Sequence, residues 1–276
     1  MNPVTVGAIV RKDVKTIIRN RGVRIPLMVV PLVILVLLPV LLVGTGELLT
    51  SSGAIPSDGG SPSPLGSLLG TDNLVQSLAD VPARARWAVF VLEVLLAPLY
   101  LMVPLITATV IAADSFAGER ERKTLEALLH TPASDRELVV AKFLAALLPA
   151  VTVAWVGFAI YTVVANLLAW PAMGRVFFPS ATWLLLAFWV APAVSALGLS
   201  VMVVVSSRVR TLQAAHQIGS LVMLPILALL VAQTGGMLQF LPAGVLALGA
   251  GLWVGAVLAL RLGSASVGRS RLAERM

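Results

Sequence analysis

The residues with the most chemistry to offer sit in one run: Asp114-Ser115-Phe116-Ala117-Gly118-Glu119-Arg120-Glu121-Arg122-Lys123-Thr124-Leu125-Glu126-Ala127-Leu128-Leu129-His130-Thr131-Pro132. Glu119 and Lys123 are four apart with the acid first, the better orientation for a helical ion pair. Arg122 and Glu126 are also four apart. Leu125, Leu128 and Leu129 share a face, so the run reads as a short amphipathic helix, charged on one side and leucine-lined on the other. Thr131-Pro132 stops it, because proline disfavours helix in the residue before it. Ser134-Asp135-Arg136-Glu137 is a capping box that opens the next helix. The arrangement is a helix lying across the inner surface, either a solvated charged loop that only fixes topology or a surface for a partner.

Few other residues are candidates. Glu93 is the one acid well inside an apolar stretch, six residues past Trp87 and so about 9 Å along a helix. A carboxylate at that depth is a functional candidate by default, for a cation, a proton or a cationic substrate. Pairing with Arg86 or another base near the interface is the structural alternative. Gln213, His216 and Gln217 open a later stretch, where they either bond neighbouring helices or line a cavity. His130 and His216 lie far apart in sequence, and cysteine is absent, so no thiolate or clustered-histidine metal site is expected. A P-loop ends in Gly-Lys, and that dipeptide occurs nowhere in the 276 residues. The chain therefore has no route to ATP hydrolysis through that motif. An intramembrane protease would need a pair such as H-E-x-x-H, also missing.

These residues are carried by a strongly apolar chain. Hydrophobic residues make up 58% and charged residues 12%, with a mean hydropathy of +0.96. A soluble domain carries roughly 25% charged residues, so the composition excludes both a water-soluble globule and a disordered chain. Six stretches reach the ~20 apolar residues that cross a bilayer: 26–46, 87–113, 138–165, 181–205, 212–234 and 237–260. They are continuous rather than alternating, which excludes an outer-membrane barrel. Gly235-Gly236 alone separates the last two, as a tight hairpin or a re-entrant pair. Prolines inside the stretches, among them Pro31, Pro39, Pro98, Pro104, Pro192 and Pro225, predict kinks or hinges.

Of the 20 Lys and Arg residues, 17 fall on one side of this layout, leaving Arg84, Arg86 and Arg175 on the other. The positive-inside rule then puts both termini in the cytoplasm. The net charge of +7 reflects topology and contact with anionic membrane lipid, not nucleic acid, since no aromatic residues interleave the basic ones. Residues 1–24 form a cytoplasmic amphipathic interfacial helix over 4–18, 25–262 a six-span domain, and 263–276 a basic tail. Residues 47–86 are an extracytoplasmic loop rich in Ser, Pro and Gly. Residues 114–137 are the cytoplasmic loop that carries the charged run. In the last stretch, Gly251 and Gly255 form G-x-x-x-G, a ridge for close helix packing.

The run from Gly118 to Leu129, followed by Thr131-Pro132-Ala133-Ser134 and Ala141-Lys142-Phe143, resembles the signature of the ATP-binding-cassette type-2 permeases. Arg122-Lys123 stands where glycine often precedes the threonine, and Ala141 where glycine often precedes the lysine. The resemblance implies an all-α, six-span type V exporter fold with both termini cytoplasmic. It implies that Gly118, Glu119, Arg120, Glu121, Lys123, Thr124, Leu125, Glu126, Leu128 and Leu129 form the coupling helix seated in a separate ATPase subunit. ATP and magnesium belong to that subunit; this chain needs no cofactor and catalyses nothing itself. A second permease subunit, identical or paralogous, completes the pathway, with the dimer contact mainly on the first and fifth spans. Glu93, Gln213 and His216 are the candidate pathway residues. The location implied is the inner (cytoplasmic) membrane, and the function export of a hydrophobic or amphipathic drug, lipid or peptide. Cation extrusion is the alternative within the class, and a non-catalytic scaffold or channel the alternative outside it.

Overall fold

The computed structural model describes residues 3–51, 81–118, 135–209, 211–225, 228 and 242–264. All the regular structure among them is helical. Five helices are long and apolar enough to cross a membrane: Arg21–Gly46, Ala85–Ser115, Val140–Met173, Ala181–Ser206 and Ala243–Gly263. We call them spans one, two, three, four and the last span. They coincide with five of the six expected stretches. Of the remaining one, 212–234, the helix Leu212–Ser220 and a 3₁₀ turn Leu221–Met223 are described. The Gly235-Gly236 joint lies outside the described residues.

The amphipathic segment at the start is a helix, Pro3–Arg19, and it packs against span three. It ends because Asn20 leaves helical geometry (φ −74°, ψ 112°). The Asn20 side chain then caps span one by accepting the Gly22 backbone N–H at 3.1 Å, one of the donors a helix start leaves bare. Span three belongs to a helix of 39 residues, Asp135–Met173, beginning directly after Ser134 of the capping box. At 1.5 Å per residue it is about 58 Å long, well beyond a ~30 Å hydrocarbon core. It runs past the expected boundary at 165 and stops where Gly174 takes a φ of +63°, a left-handed turn that glycine enters without strain.

Spans two and four form the centre: 67% and 61% of their apolar windows are buried, against 17% for span one and 17% for the last span. Span four packs on span two and on the last span, and span three closes the bundle against spans two and four.

At three of the expected prolines the disturbance takes a specific form, while Pro31 and Pro104 lie inside α-helix. Three widened, π-helical turns interrupt the spans at Val33–Leu37, Phe90–Leu95 and Leu186–Val190. They end two, three and two residues before Pro39, Pro98 and Pro192. A proline ring collides with the carbonyl four residues back and gives no N–H; a π turn just before it absorbs the collision. At the third turn the five-residue register is explicit, with Ala191 N–H donating to Leu186 O. Pro192 would be the next donor, to Ala187 O. It has no N–H, and the indole Nε1 of Trp155, from span three, donates to Ala187 O at 3.0 Å instead. At the second turn Leu96 N–H reaches back five residues to Val91 O. In that register Pro98 faces Glu93 O, which takes the indole Nε1 of Trp183 at 3.1 Å, while the Tyr161 hydroxyl donates to Leu92 O.

Indoles reach carbonyls elsewhere by lying over glycine. Trp87 Nε1 donates to Leu42 O at 3.0 Å, and Trp189 Nε1 to Leu246 O at 3.2 Å. Any Cβ on Gly46 would overlap the Trp87 ring, and any Cβ on Gly249 the Trp189 ring. The expected G-x-x-x-G ridge is used within the chain at one of its two glycines. Gly255 does meet Leu197 of span four, but Gly251 faces open space, and the close approach is made at Gly249.

Replacing Trp183 by Phe keeps most of the ring and removes the donor, leaving Glu93 O bare in a dry bundle at a cost of about 1–2 kcal/mol. Trp183→Phe is expected to lower the melting temperature in detergent. Trp170→Phe, at a position 53% exposed, is the control and should leave it unchanged.

Candidate coupling junction and the polar site in span two

Two polar constellations stand out, at opposite ends of span two. The first joins the N-terminal helix, span two and span three. Span two finishes in a fourth π turn, Ala113–Gly118. Asp114 lies in that turn and is 8% exposed. Asn20, having capped span one with its oxygen, uses its nitrogen to donate to Asp114 Oδ2 at 3.0 Å. Lys142, 4% exposed, reaches from span three and donates to Ser115 O at 3.3 Å. A buried charge is tolerated when it is paired and hydrogen-bonded, so these contacts fix where the three elements meet. Gly118 is buried against the same carboxylate: a Cβ there would stand 3.2 Å from Asp114 Oδ1.

Gly118 is also the first residue of the expected coupling helix. Glu119, Arg120, Glu121, Lys123, Thr124, Leu125, Glu126, Leu128 and Leu129 lie outside the described residues, as does His130. The junction brackets that segment, holding Ser115 before it and Lys142 after it. The helix Leu212–Ser220 packs on the same π turn. It carries Gln213, whose side chain is exposed, and the backbone of His216. Thr211 caps this helix, its Oγ1 accepting Ala214 N–H at 3.2 Å.

The second constellation surrounds Glu93. Its side chain is half-buried and bonds the Ser180 side chain, at the start of span four. Arg86, the base weighed from sequence as its partner, donates from Nε to Val81 O at 3.2 Å. Glu93 borders a packed aromatic cluster. Tyr161 stacks on Trp183 with centroids 4.9 Å apart, Phe178 meets Trp183 at 5.0 Å, and Tyr100 meets it at 5.5 Å. The Tyr100 hydroxyl donates to Ala154 O at 3.2 Å. Asn166 pins the connection before span four: its Oδ1 accepts Phe177 N–H at 3.1 Å and its Nδ2 donates to Phe178 O at 2.7 Å. That holds Ser180 over the carboxylate.

Glu93 and Gln213 therefore do not share a site. The π turn against which the Gln213 helix packs begins at Ala113, 20 residues and about 30 Å from Glu93. Asp114 and Lys142 were quoted from the sequence within the charged run and the family signature but given no site role, and Asn20, Asn166 and the aromatic cluster were not singled out. No local rule pairs Asn20 with Asp114, which lie 94 residues apart. No periodicity finds the aromatic cluster, because its rings are scattered over spans two, three and four.

The family model described as ABC-2 family transporter protein matches residues 7–245. The match takes in most of the N-terminal helix, the junction, the charged run and spans one to four, and it stops three residues into the last span. The chain belongs to the ABC-2 transporter family. It is thus a multi-pass membrane protein, a transmembrane subunit of a transporter rather than its ATPase, and an ABC ATPase subunit is its general partner. No curated protein matches the sequence.

Asn20→Asp would set two carboxylates about 3 Å apart in a poorly hydrated spot. It is expected to destabilise the protein, with Asp114→Asn restoring most of the loss. A thermal-unfolding double-mutant cycle should give a coupling of about 1 kcal/mol or more; additive losses would mean that the two side chains do not sense each other.

Proposed function

We propose that the chain is the permease subunit of an ATP-driven ABC exporter, with six spans of type V arrangement and both termini in the cytoplasm of a cell with its inner membrane as the site. Two such subunits, identical or paralogous, enclose a pathway. A separate ATPase subunit, holding ATP and magnesium, grips the segment 118–129. The reading is carried by the bracketed position of that segment. A push on it is delivered through Asp114 and Ser115 to span two, through Lys142 to span three, and through Asn20 to the N-terminal helix and span one. ATP then shifts the balance between two arrangements of the spans by binding one of them better. The apolar spans suit a hydrophobic or amphipathic cargo. Glu93, bonded to Ser180, is the feature that favours the second reading, extrusion of sodium or another cation; the carboxylate is single, and its partner neutral.

Glu121→Arg and Leu125→Asp are each expected to abolish co-purification with the ATPase subunit while leaving the melting temperature of the isolated permease unchanged. Full-affinity complexes from both variants would overturn the coupling assignment. In reconstituted vesicles, stimulation of ATP turnover by amphipathic compounds but not by sodium supports the first cargo reading; the reverse supports the second. The cysteine-free sequence allows a topology test. Ser57→Cys should react with an impermeant maleimide added outside whole cells, and Ser270→Cys only after lysis.

A further inference from the structure

We propose that the groove between spans one and three is a binding site for one anionic phospholipid, in the leaflet that borders the N-terminal helix. The groove encloses about 330 Å³ and is lined on span one by Leu27, Met28, Pro31 and Leu35, and on span three chiefly by Val156 and Ile160. Its volume falls in the usual range of ligand pockets. Met28 is 67% exposed, Val156 55% and Ile160 47%, so the groove opens sideways to lipid. Its lining offers nothing for a polar ligand. The one hydroxyl there, on Thr152, is engaged with Leu148 O at 2.8 Å.

Length and charge choose the occupant. From Leu27 to Val36 the groove rises about 14 Å, half of a ~30 Å hydrocarbon core and so one leaflet. At the end of it, Arg21 and Arg24 are exposed. Arg24, Met28 and Pro31 are spaced four and three apart, so they lie in one row on one face of the helix. The arginines therefore stand in line with the groove, one to two turns beyond its last apolar residue. Arg19 and Lys15 on the neighbouring helix are exposed too. A guanidinium pair at headgroup level fits a phosphate with a net negative charge, and the groove fits the acyl chain that hangs from it. A zwitterionic phospholipid fills the groove equally but gains less from the arginines. The site is independent of the cargo and of the ATPase, and it ties span one to span three on the face that their direct contacts leave open.

The test is native mass spectrometry of the purified full chain, titrated in detergent with dioleoyl phosphatidylglycerol or dioleoyl phosphatidylcholine. The expected result is one phosphatidylglycerol bound per chain, in preference to phosphatidylcholine. Each arginine removed should weaken it about fivefold, so the double variant Arg21→Gln/Arg24→Gln should bind it about twenty-five-fold less tightly, with a much smaller loss for phosphatidylcholine. Val156→Trp, which fills the groove, should weaken both lipids. Equal binding of the two lipids by the unaltered chain would overturn the proposal. So would undiminished phosphatidylglycerol binding by either variant. Disulfide cross-linking between two chains at Met28→Cys, with lipid excluded, would assign the groove to a second copy instead. Should Val156→Trp fail to fold, the arginine variant, altered only at exposed positions, still decides the matter.

Discussion

A bundle in lipid has no water to complete its backbone hydrogen bonds, and every carbonyl that a proline strands must find a donor within the protein. That constraint organises the spans. Pro98 and Pro192 each follow a π turn, and each time a tryptophan on another span supplies the N–H: Trp183 for Glu93 O, Trp155 for Ala187 O. Trp87 and Trp189 serve Leu42 O and Leu246 O by lying over glycine. Where lipid is as apolar as leucine, close packing and hydrogen bonds between helices must set the rotation of one against another. Bonds from indole to carbonyl add to the packing a fixed direction and one acceptor.

The junction follows the same logic with charged groups. Where span two ends, a dry carboxylate, a dry ammonium and an amide meet, and all three come from different helices. Asn20 performs two tasks at once: its oxygen starts span one and its nitrogen holds the end of span two. The family match over 7–245 includes all of it. The segment read as the lever for an ATPase thus leaves the membrane from a base whose two sides are bonded into neighbouring elements.

Much of this was legible in the sequence, and the boundary of legibility is physical. Span existence rests on summed hydropathy over ~20 residues, a signal too large to miss, and five of the six stretches coincide with long described helices. The amphipathic start, the capping box before Asp135 and the family signature are local patterns and could be read locally. The contacts that build the sites are not local. Tyr161 meets the backbone 69 residues away, Trp183 meets it 90 away, and Asn20 meets Asp114 94 away. Proline predicted disturbance but not its form, since a kink and a π turn answer the same steric clash. G-x-x-x-G did not point to Gly249, because spacing alone does not say which residue a neighbouring ring will cover.

The stranded carbonyls have a mechanical corollary. An indole displaced by one turn would leave its proline-stranded acceptor with no donor in a dry bundle. Spans tethered this way resist piston-like travel along their long axes. A single indole link still permits pivoting about itself. Between span four and its neighbours, rotation about Trp155 and Trp183 is the movement these links oppose least.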